Sequence, residues 1–312
     1  MSETISIIVP CYNMADKVAK CIDSLKVQSY TNFIAYMIDD GSKDQTEMAI
    51  KSSIQDDPRF RYIYKKNGGL SDARNYGMKL IDTEFVTFVD SDDYVSPVYL
   101  EKLFEPFQET GMDLTAGYFK RVYEDHVRLN TLEPEDLILS KHPSAWAKMY
   151  RMSIIRKHNI TFPVGLWYED LCFFNLYMKY VEKTAIIREP LYYYIQNPNS
   201  IMYTYSDKIF DIYQILAILK ENNVDRDRLE YIFIYHLLIG TIFRISFMDS
   251  FSRRDIADVY QHVEKDFPHW HQNPNIKKRM SCFYQVYLQI MNMKMFGLIS
   301  IVIKMFHNHI KM

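Results

Sequence analysis

Apolar positions in the first 120 residues follow two rhythms: short unbroken runs, and longer stretches with an apolar residue every three or four positions. Ile5–Val9 is continuous and β-branched and is closed by Pro10, as expected of a strand covered on both faces. Ala15–Val27 places Val18, Ile22 and Leu25 on one helical face. Phe33–Ile38 reads as a strand, Asp44–Ile54 as a helix, Arg61–Tyr64 as a short strand and Ser71–Ile81 as a helix. Phe85–Val89 is a third buried strand, Pro97–Thr110 a helix with Pro near its start, and Leu114–Phe119 a further strand. This alternation predicts a parallel α/β sheet with helices on both faces. Polar clusters follow the strands directly, at the edge where open α/β sheets bind ligands.

Beyond about residue 205 the texture changes. Ile209–Leu219 and Leu229–Ser246 are long, apolar-periodic and poor in turn residues, which predicts helices. Asn222–Asp227 and His269–Pro274 are the breaks between them.

Composition narrows the class. Of 312 residues, 48% are hydrophobic and 24% charged, which excludes a disordered polymer. The net charge of −2 excludes a whole-chain basic footprint, so no nucleic-acid partner is expected. That small number hides a split: residues 267–312 carry +6 with no acid, and the rest carries −8. Cys11, Cys21, Cys172 and Cys282 show no metal spacing, and the first residues lack a signal-peptide pattern. A cytoplasmic enzyme with reduced thiols is the expectation.

Four polar clusters carry candidate chemistry. Asp90-Ser91-Asp92-Asp93 delivers three carboxylates into one turn, which is costly unless a cation or a donor-rich ligand receives them. Hard oxygens suit Mg2+ or Mn2+ with substrate phosphates completing the shell, although an acidic turn capping the next helix fits equally well. Asp39-Asp40-Gly41-Ser42-Lys43-Asp44 reads as a turn and N-cap, or as a carboxylate accepting from a nucleobase imide. Asn67–Gly77 pairs two glycines with Arg74, a cationic fork for a base oxygen or a phosphate. It is neither a P-loop nor a GxGxxG fingerprint, which argues against P-loop hydrolysis and hydride transfer. Gly165–Asp170 offers Trp167 as a platform for a sugar ring beside two acids; taken singly, a core Trp and an acidic first helical turn fit it better.

Taken together and in order, Pro10-Cys11-Tyr12-Asn13, Asp39-Asp40-Gly41-Ser42-x-Asp44, Asn67–Gly77, Asp90-Ser91-Asp92 and Trp167-x-Glu169-Asp170 resemble the inverting glycosyltransferases of family two. The likeness runs from about Ile5 to Met202, and Ser144–Tyr150 and Tyr192–Asn197 resemble segments of bacterial surface-polysaccharide members. It implies a GT-A fold: an α/β, Rossmann-like nucleotide-sugar-binding domain over 1–205, followed by a mainly helical C-terminal region, 206–312. The donor-binding half would be about 1–120 and the acceptor half about 121–205. It also implies a UDP-sugar donor and Mn2+ or Mg2+. By the same resemblance Pro10 and Tyr12 would flank the uracil, Asp40 beside Asp39 would accept from its imide, and Arg74, with Asn67 in the same segment, would reach base or phosphate. Asp92 would bind the metal with Asp90 nearby and Ser91 between them, and Asp170 beside Glu169 would be the general base. Trp167, Trp146, Lys148 and Ser200 are candidates on the acceptor and diphosphate side. Ile195 and Asn197 stand where many members carry an Arg or a His.

The implied reaction moves a hexose or N-acetylhexosamine to a hydroxyl of a growing cell-surface glycan or lipid-linked acceptor. A glycosidase would want two carboxylates facing each other across the bond, whereas most acids here fall on the nucleotide side. A nucleotidyltransferase would want a basic Gly-rich loop after the first strand, where this chain has Tyr12. A catalytically inactive nucleotide-binding or scaffolding subunit is the alternative from another class.

The tail has two readings. Met295–Ile303 is too short for a span, which needs about 20 residues. It is either an interfacial helix with Lys294, Lys304 and Lys311 reaching anionic lipid at the inner face of the membrane, or a helix packed on its own domain or on a second copy in a homo-oligomer.

Overall fold

A computed structural model describes residues 3–108, 111–197, 206–248 and 250–310, with side chains placed as far as residue 303. The chain divides into two compact units, Met1–Ser200 and Ile201–Met312. The expected boundary near 205, Ser200 and Lys311 lie outside the described residues, as does the side chain of Lys304.

In the first unit the two rhythms become β1 (Ile5–Cys11), α1 (Val18–Lys26), β2 (Phe33–Asp39), α2 (Thr46–Ile54), β3 (Phe60–Tyr64), α3 (Leu70–Leu80) and β4 (Phe85–Phe88). Every residue of β1 and β4 is buried, which is why both read as unbroken apolar runs. Then come β5 (Tyr94–Val95), α4 (Tyr99–Gln108), β6 (Leu114–Val122), β7 (Val127–Asn130), α5 (Pro134–Ile138), β8 (Lys148–Arg151), α6 (Met152–Lys157), α7 (Glu169–Met178) and β9 (Thr184–Ile195).

Among the described residues these strands form one sheet in the order β3-β2-β1-β4-β8-β6-β9-β5, with β7 paired to β6. Strands β3, β2, β1 and β4 are parallel, with Cys11 opposite Asp39 and Ile8 opposite Phe88. Their C-terminal ends therefore carry Tyr12, Asp40 and Asp90 to one edge. The all-parallel expectation is corrected at β8, which runs antiparallel to both β4 and β6. Four residues with a buried lysine give no apolar run by which to foresee that strand. Helices do cover both faces. Alternation along β1 sends Ile7 and Val9 into a core with α1, α2 and α4, and Ile8 into a second core with α3 and α7.

The second unit is helical. A 3-10 turn over Asp207–Phe210 leads into α8 (Asp211–Glu221). Asp225 caps α9 (Arg226–Phe233), which passes through a π-helical stretch, Ile234–Thr241, into α10 (Ile242–Ile245). A capping box between Ser252 and Asp255 starts α11 (Arg253–Asp266), and Pro274 opens α12 (Pro274–Arg279). The chain continues as α13 (Cys282–Asn292) and α14 (Phe296–Ile310). Ile299 and Ile303 of α14 are buried, while Met295, Leu298 and Ile301 are exposed. Among the described residues no helix is long and apolar enough to cross a membrane.

Candidate active site

The turns after β1 and β2 are stapled together. Asn13, held at φ 53°, accepts from the Lys43 N–H at 2.9 Å, and its own N–H donates to Ser42 Oγ at 3.0 Å. Pro10 is buried within β1, whereas Tyr12 is 41% exposed and presents an open ring at the sheet edge. Asp39 is buried and holds the turn, accepting from the Ser42 N–H and the Tyr62 hydroxyl, each at 2.9 Å. Asp40 is also committed to protein donors. Its Oδ1 accepts from Lys65 at 2.5 Å and the Gly68 N–H at 2.9 Å, and its Oδ2 from the Gly69 N–H at 2.7 Å. Asn67 Nδ2 closes the arrangement on the Asp40 carbonyl at 2.8 Å. Gly41 is needed here: its φ is +73°, and a Cβ would stand 2.7 Å from the Asn67 nitrogen.

Arg74 occupies a different place from the one its fork suggests. It projects from α3 and is 1% exposed, with Nη2 on Asp90 Oδ1 at 2.8 Å and Nη1 on Asp170 Oδ1 at 2.6 Å and Glu169 Oε1 at 3.3 Å. A guanidinium fits carboxylates as well as it fits phosphates, and three carboxylates have claimed this one. The acids remain partly open, with side-chain exposures of 24% for Asp90, 17% for Glu169 and 22% for Asp170, so the cation is sealed while the anions keep some exposure. This one cation does not offset the cost of burying Glu169 and Asp170. Burial first, and then Asp170, push the Glu169 carboxyl up; burial also raises Asp170, against the pull of Arg74.

The acidic turn after β4 splits into separate roles. Ser91 is buried and bonds the Cys11 thiol. Asp93 is buried too, accepting from the Tyr192 hydroxyl at 2.7 Å and the Ile195 N–H at 2.7 Å, and so ties the turn to β9. Asp92 has no side-chain partner beyond its own amide among the described residues, and burial followed by the charge of Asp90 pushes its carboxyl up. A hard divalent cation would relieve that repulsion, so Asp90 and Asp92 fit Mn2+ or Mg2+. Among the described residues no group of three or more His, Cys, Asp or Glu side chains makes a closed cage. An open two-carboxylate site is what Mg2+ commonly uses with substrate phosphates.

Across Arg74 from Asp90, Asp170 Oδ2 accepts from the Ala145 N–H at 3.1 Å. Trp146, a candidate on the acceptor side, is 8% exposed and stacks on Tyr192 at 4.5 Å between ring centroids. Lys148 is buried with its ammonium turned onto backbone carbonyls. Trp167 is half-buried, and the next residue, Tyr168, caps α7 from left-handed space at φ 64°. A bulky residue there costs about 1–3 kcal/mol, and such strain gathers at functional sites. Cys172 is an inert buried thiol, pushed up to about 12 by burial. Sequence reading missed Lys65, Tyr192 and the Ala145 N–H. Lys65, next to Asn67-Gly68-Gly69, is the one that charge complementarity with Asp40 could have found.

Sheet order, the antiparallel insertion of β8 and acids at the ends of parallel strands define a GT-A fold. The profile of glycosyl transferase family 2 matches residues 6–166, and the chain belongs to that family. EpsJ of Bacillus subtilis, described as a glycosyltransferase, is 31% identical over 218 residues, which span 64% of this chain and 63% of that relative. Among solved structures, residues 1–349 of Staphylococcus aureus TarS, in complex with UDP-GlcNAc, superpose with a TM-score of 0.76 at 21% identity, covering 98% of this chain and 92% of that one. The mannosyltransferase PcManGT of Pyrobaculum calidifontis, in complex with GDP-Man and Mn2+, gives 0.61 at 12% identity over 97% of this chain and 85% of its own.

Proposed function

We propose that the protein transfers a hexose or N-acetylhexosamine, with inversion, from a UDP-sugar to a hydroxyl of a cell-surface glycan or lipid-linked acceptor, with Asp170 as general base. The observation that carries this reading is Arg74. A single sealed guanidinium joins Asp90, at the strand end that would meet the donor, to Asp170, at the start of α7. The carboxylate near the departing diphosphate and the carboxylate near the incoming hydroxyl thus flank one small volume, as an in-line displacement requires.

In this reading the open ring of Tyr12 stacks on uracil, and the Asp40 turn fixes the wall beside it. TarS, solved with UDP-GlcNAc, supports a UDP-sugar donor. Asp90 and Asp92 would hold Mn2+ or Mg2+, which neutralises charge on the departing diphosphate when bound. Asp170 takes the acceptor proton, a step typically worth about 10²–10⁴-fold. Its raised pKa makes it a stronger base than an ordinary carboxylate, and the Ala145 N–H fixes its orientation. The test is Asp170→Asn: transfer should vanish while UDP-sugar affinity persists, and near-normal turnover would remove Asp170 from the role.

A membrane-linked acceptor gives the tail a purpose. Met295, Leu298 and Ile301 are exposed at helical spacing, and Lys277, Lys278 and Arg279 are exposed at the end of α12. Peripheral contact with the anionic inner face of the membrane would bury the first group and attract the second. Lys294, 56% exposed, pairs with Glu264 at 3.0 Å, a surface bridge weak enough for lipid phosphate to replace. Flotation with anionic liposomes should fail for a truncation after Asp266; equal flotation of both forms would sink the idea, and self-association of the full chain would favour a second copy as the partner.

A further inference from the structure

Lys148 lies in β8 with 1% of its surface exposed, a position that an ammonium tolerates only if its protons are received. Its Nζ donates to the His142 carbonyl at 3.1 Å and the Ser144 carbonyl at 2.8 Å, and reaches Ser144 Oγ at 3.2 Å. The ring of Phe174 lies 5.2 Å away. The strongest of these bonds all go to one short segment, residues 142–144, and the Tyr150 hydroxyl holds its continuation through the Ala145 carbonyl at 3.0 Å. The Ala145 N–H in turn donates to Asp170 Oδ2 at 3.1 Å. So β8 grips, from within the core, the peptide that orients the candidate base.

Charge adds to the grip. No carboxylate pairs directly with Lys148 among the described residues, yet its charge favours the ionised form of Asp170, and Asp170 favours the ammonium. Burial is the larger influence on the lysine and brings it down to about 7. The other groups facing Asp170 are Arg74 from α3, Asp90 from the end of β4, Glu169 from its own helix and Tyr150 from β8. His142 is brought down to about 4, chiefly by burial and then by Lys148, and stays neutral above that. Arg74 is divided among three acids; Lys148 acts on Asp170 without pairing Asp90.

We propose that Lys148 is a positioning residue for the transfer step: it folds residues 142–146 so that the Ala145 N–H aims at Asp170 and holds that carboxylate towards the acceptor proton. The proposal rests on Asp170 being the base. It also accounts for a lysine where an apolar side chain would avoid the cost of burying a charge.

Two full-length variants test the role. Lys148→Gln keeps hydrogen-bond donors without charge, and Lys148→Met removes both. The readout is UDP release from UDP-GlcNAc, or from the UDP-hexose that a substrate panel selects, across about pH 5 to 9. Both variants should lose about tenfold or more in kcat, with the acid limb of kcat/KM moved upward by about one pH unit, since removing a cation raises the pKa of Asp170. UDP affinity should stay at the wild-type value. A merely structural lysine would lower the unfolding temperature and leave the acid limb in place, and that result in either folded variant overturns the proposal. If neither folds, Lys148→Arg decides, with an acid limb like the wild type expected and a shifted one contrary. Asp170→Asn in the same assay tests the premise. Persistent turnover there removes the base reading itself, whereas lost turnover there with an unmoved limb in the Lys148 variants refutes the positioning role alone.

Discussion

Replacing Arg74 by Met would leave three carboxylates facing one another around an apolar stem. The wild-type guanidinium makes contacts of 2.6, 2.8 and 3.3 Å to them from a site that is 1% exposed. Removing one partner of a buried ion network costs about 3–5 kcal/mol, mostly from the charges left behind. For a unit of this size that is about 6–20 °C in melting temperature, at about 2–4 °C per kcal/mol. The pH dependence gives the cause away. Glu169 and Asp170 already have raised pKa values, so the folded chain keeps protons that the unfolded chain releases, and stability grows as the pH falls from neutrality towards the ordinary carboxylate range. Without Arg74 both acids rise further, and the deficit should shrink on acidification. Thermal unfolding followed by circular dichroism, in metal-free buffer near pH 8 and near pH 5.5, measures both quantities. Arg74→Lys should fall between, because one ammonium cannot bridge both sides of the fork. A deficit below about 1 kcal/mol, or one that does not change with pH, would refute the account of Arg74 as the cation that makes this cluster tolerable.

Three further outcomes are expected. Tyr12→Ala should weaken UDP binding by about 1–3 kcal/mol through lost stacking, while Tyr12→Phe leaves it unchanged; calorimetric titration with UDP distinguishes them. Asp92→Ala should abolish the Mn2+-dependent part of UDP binding, and undiminished Mn2+ stimulation would contradict its assignment. Gly41→Ala should destabilise the first unit by about 1–3 kcal/mol, since a Cβ must enter left-handed space 2.7 Å from the Asn67 nitrogen; a melting temperature equal to wild type would show that the two turns can separate.

Much of the fold was legible because β1 and β4 are buried on both faces and β2 nearly so, and they therefore spell themselves as apolar runs. β8 escaped, since its backbone completes the sheet while its lysine disguises it as surface. The π-helical stretch Ile234–Thr241 was hidden for a related reason: a continuous apolar periodicity does not reveal how the turns are wound. At the site, residue types were legible and partners were not. Arg74 has the same fork for a carboxylate as for a phosphate, and only tertiary structure shows that Asp90, Glu169 and Asp170 reach it first. Trp146 likewise reads as a candidate on the acceptor side until Tyr192 is found stacked against it.

The order of strands also bears on how the chain can be taken apart. Residues up to about 120 supply β1 to β6, yet β4 meets β6 only through β8, and β5 meets the sheet only through β9. Cut after β6, the N-terminal fragment would expose a bare strand edge on β4, a template for aggregation. Neither half is a module that could be swapped between relatives to exchange donor or acceptor preference. Chimeras should instead be joined in loops that leave β8 and β9 with the strands they bridge, or be made as two co-expressed fragments that complete one sheet together.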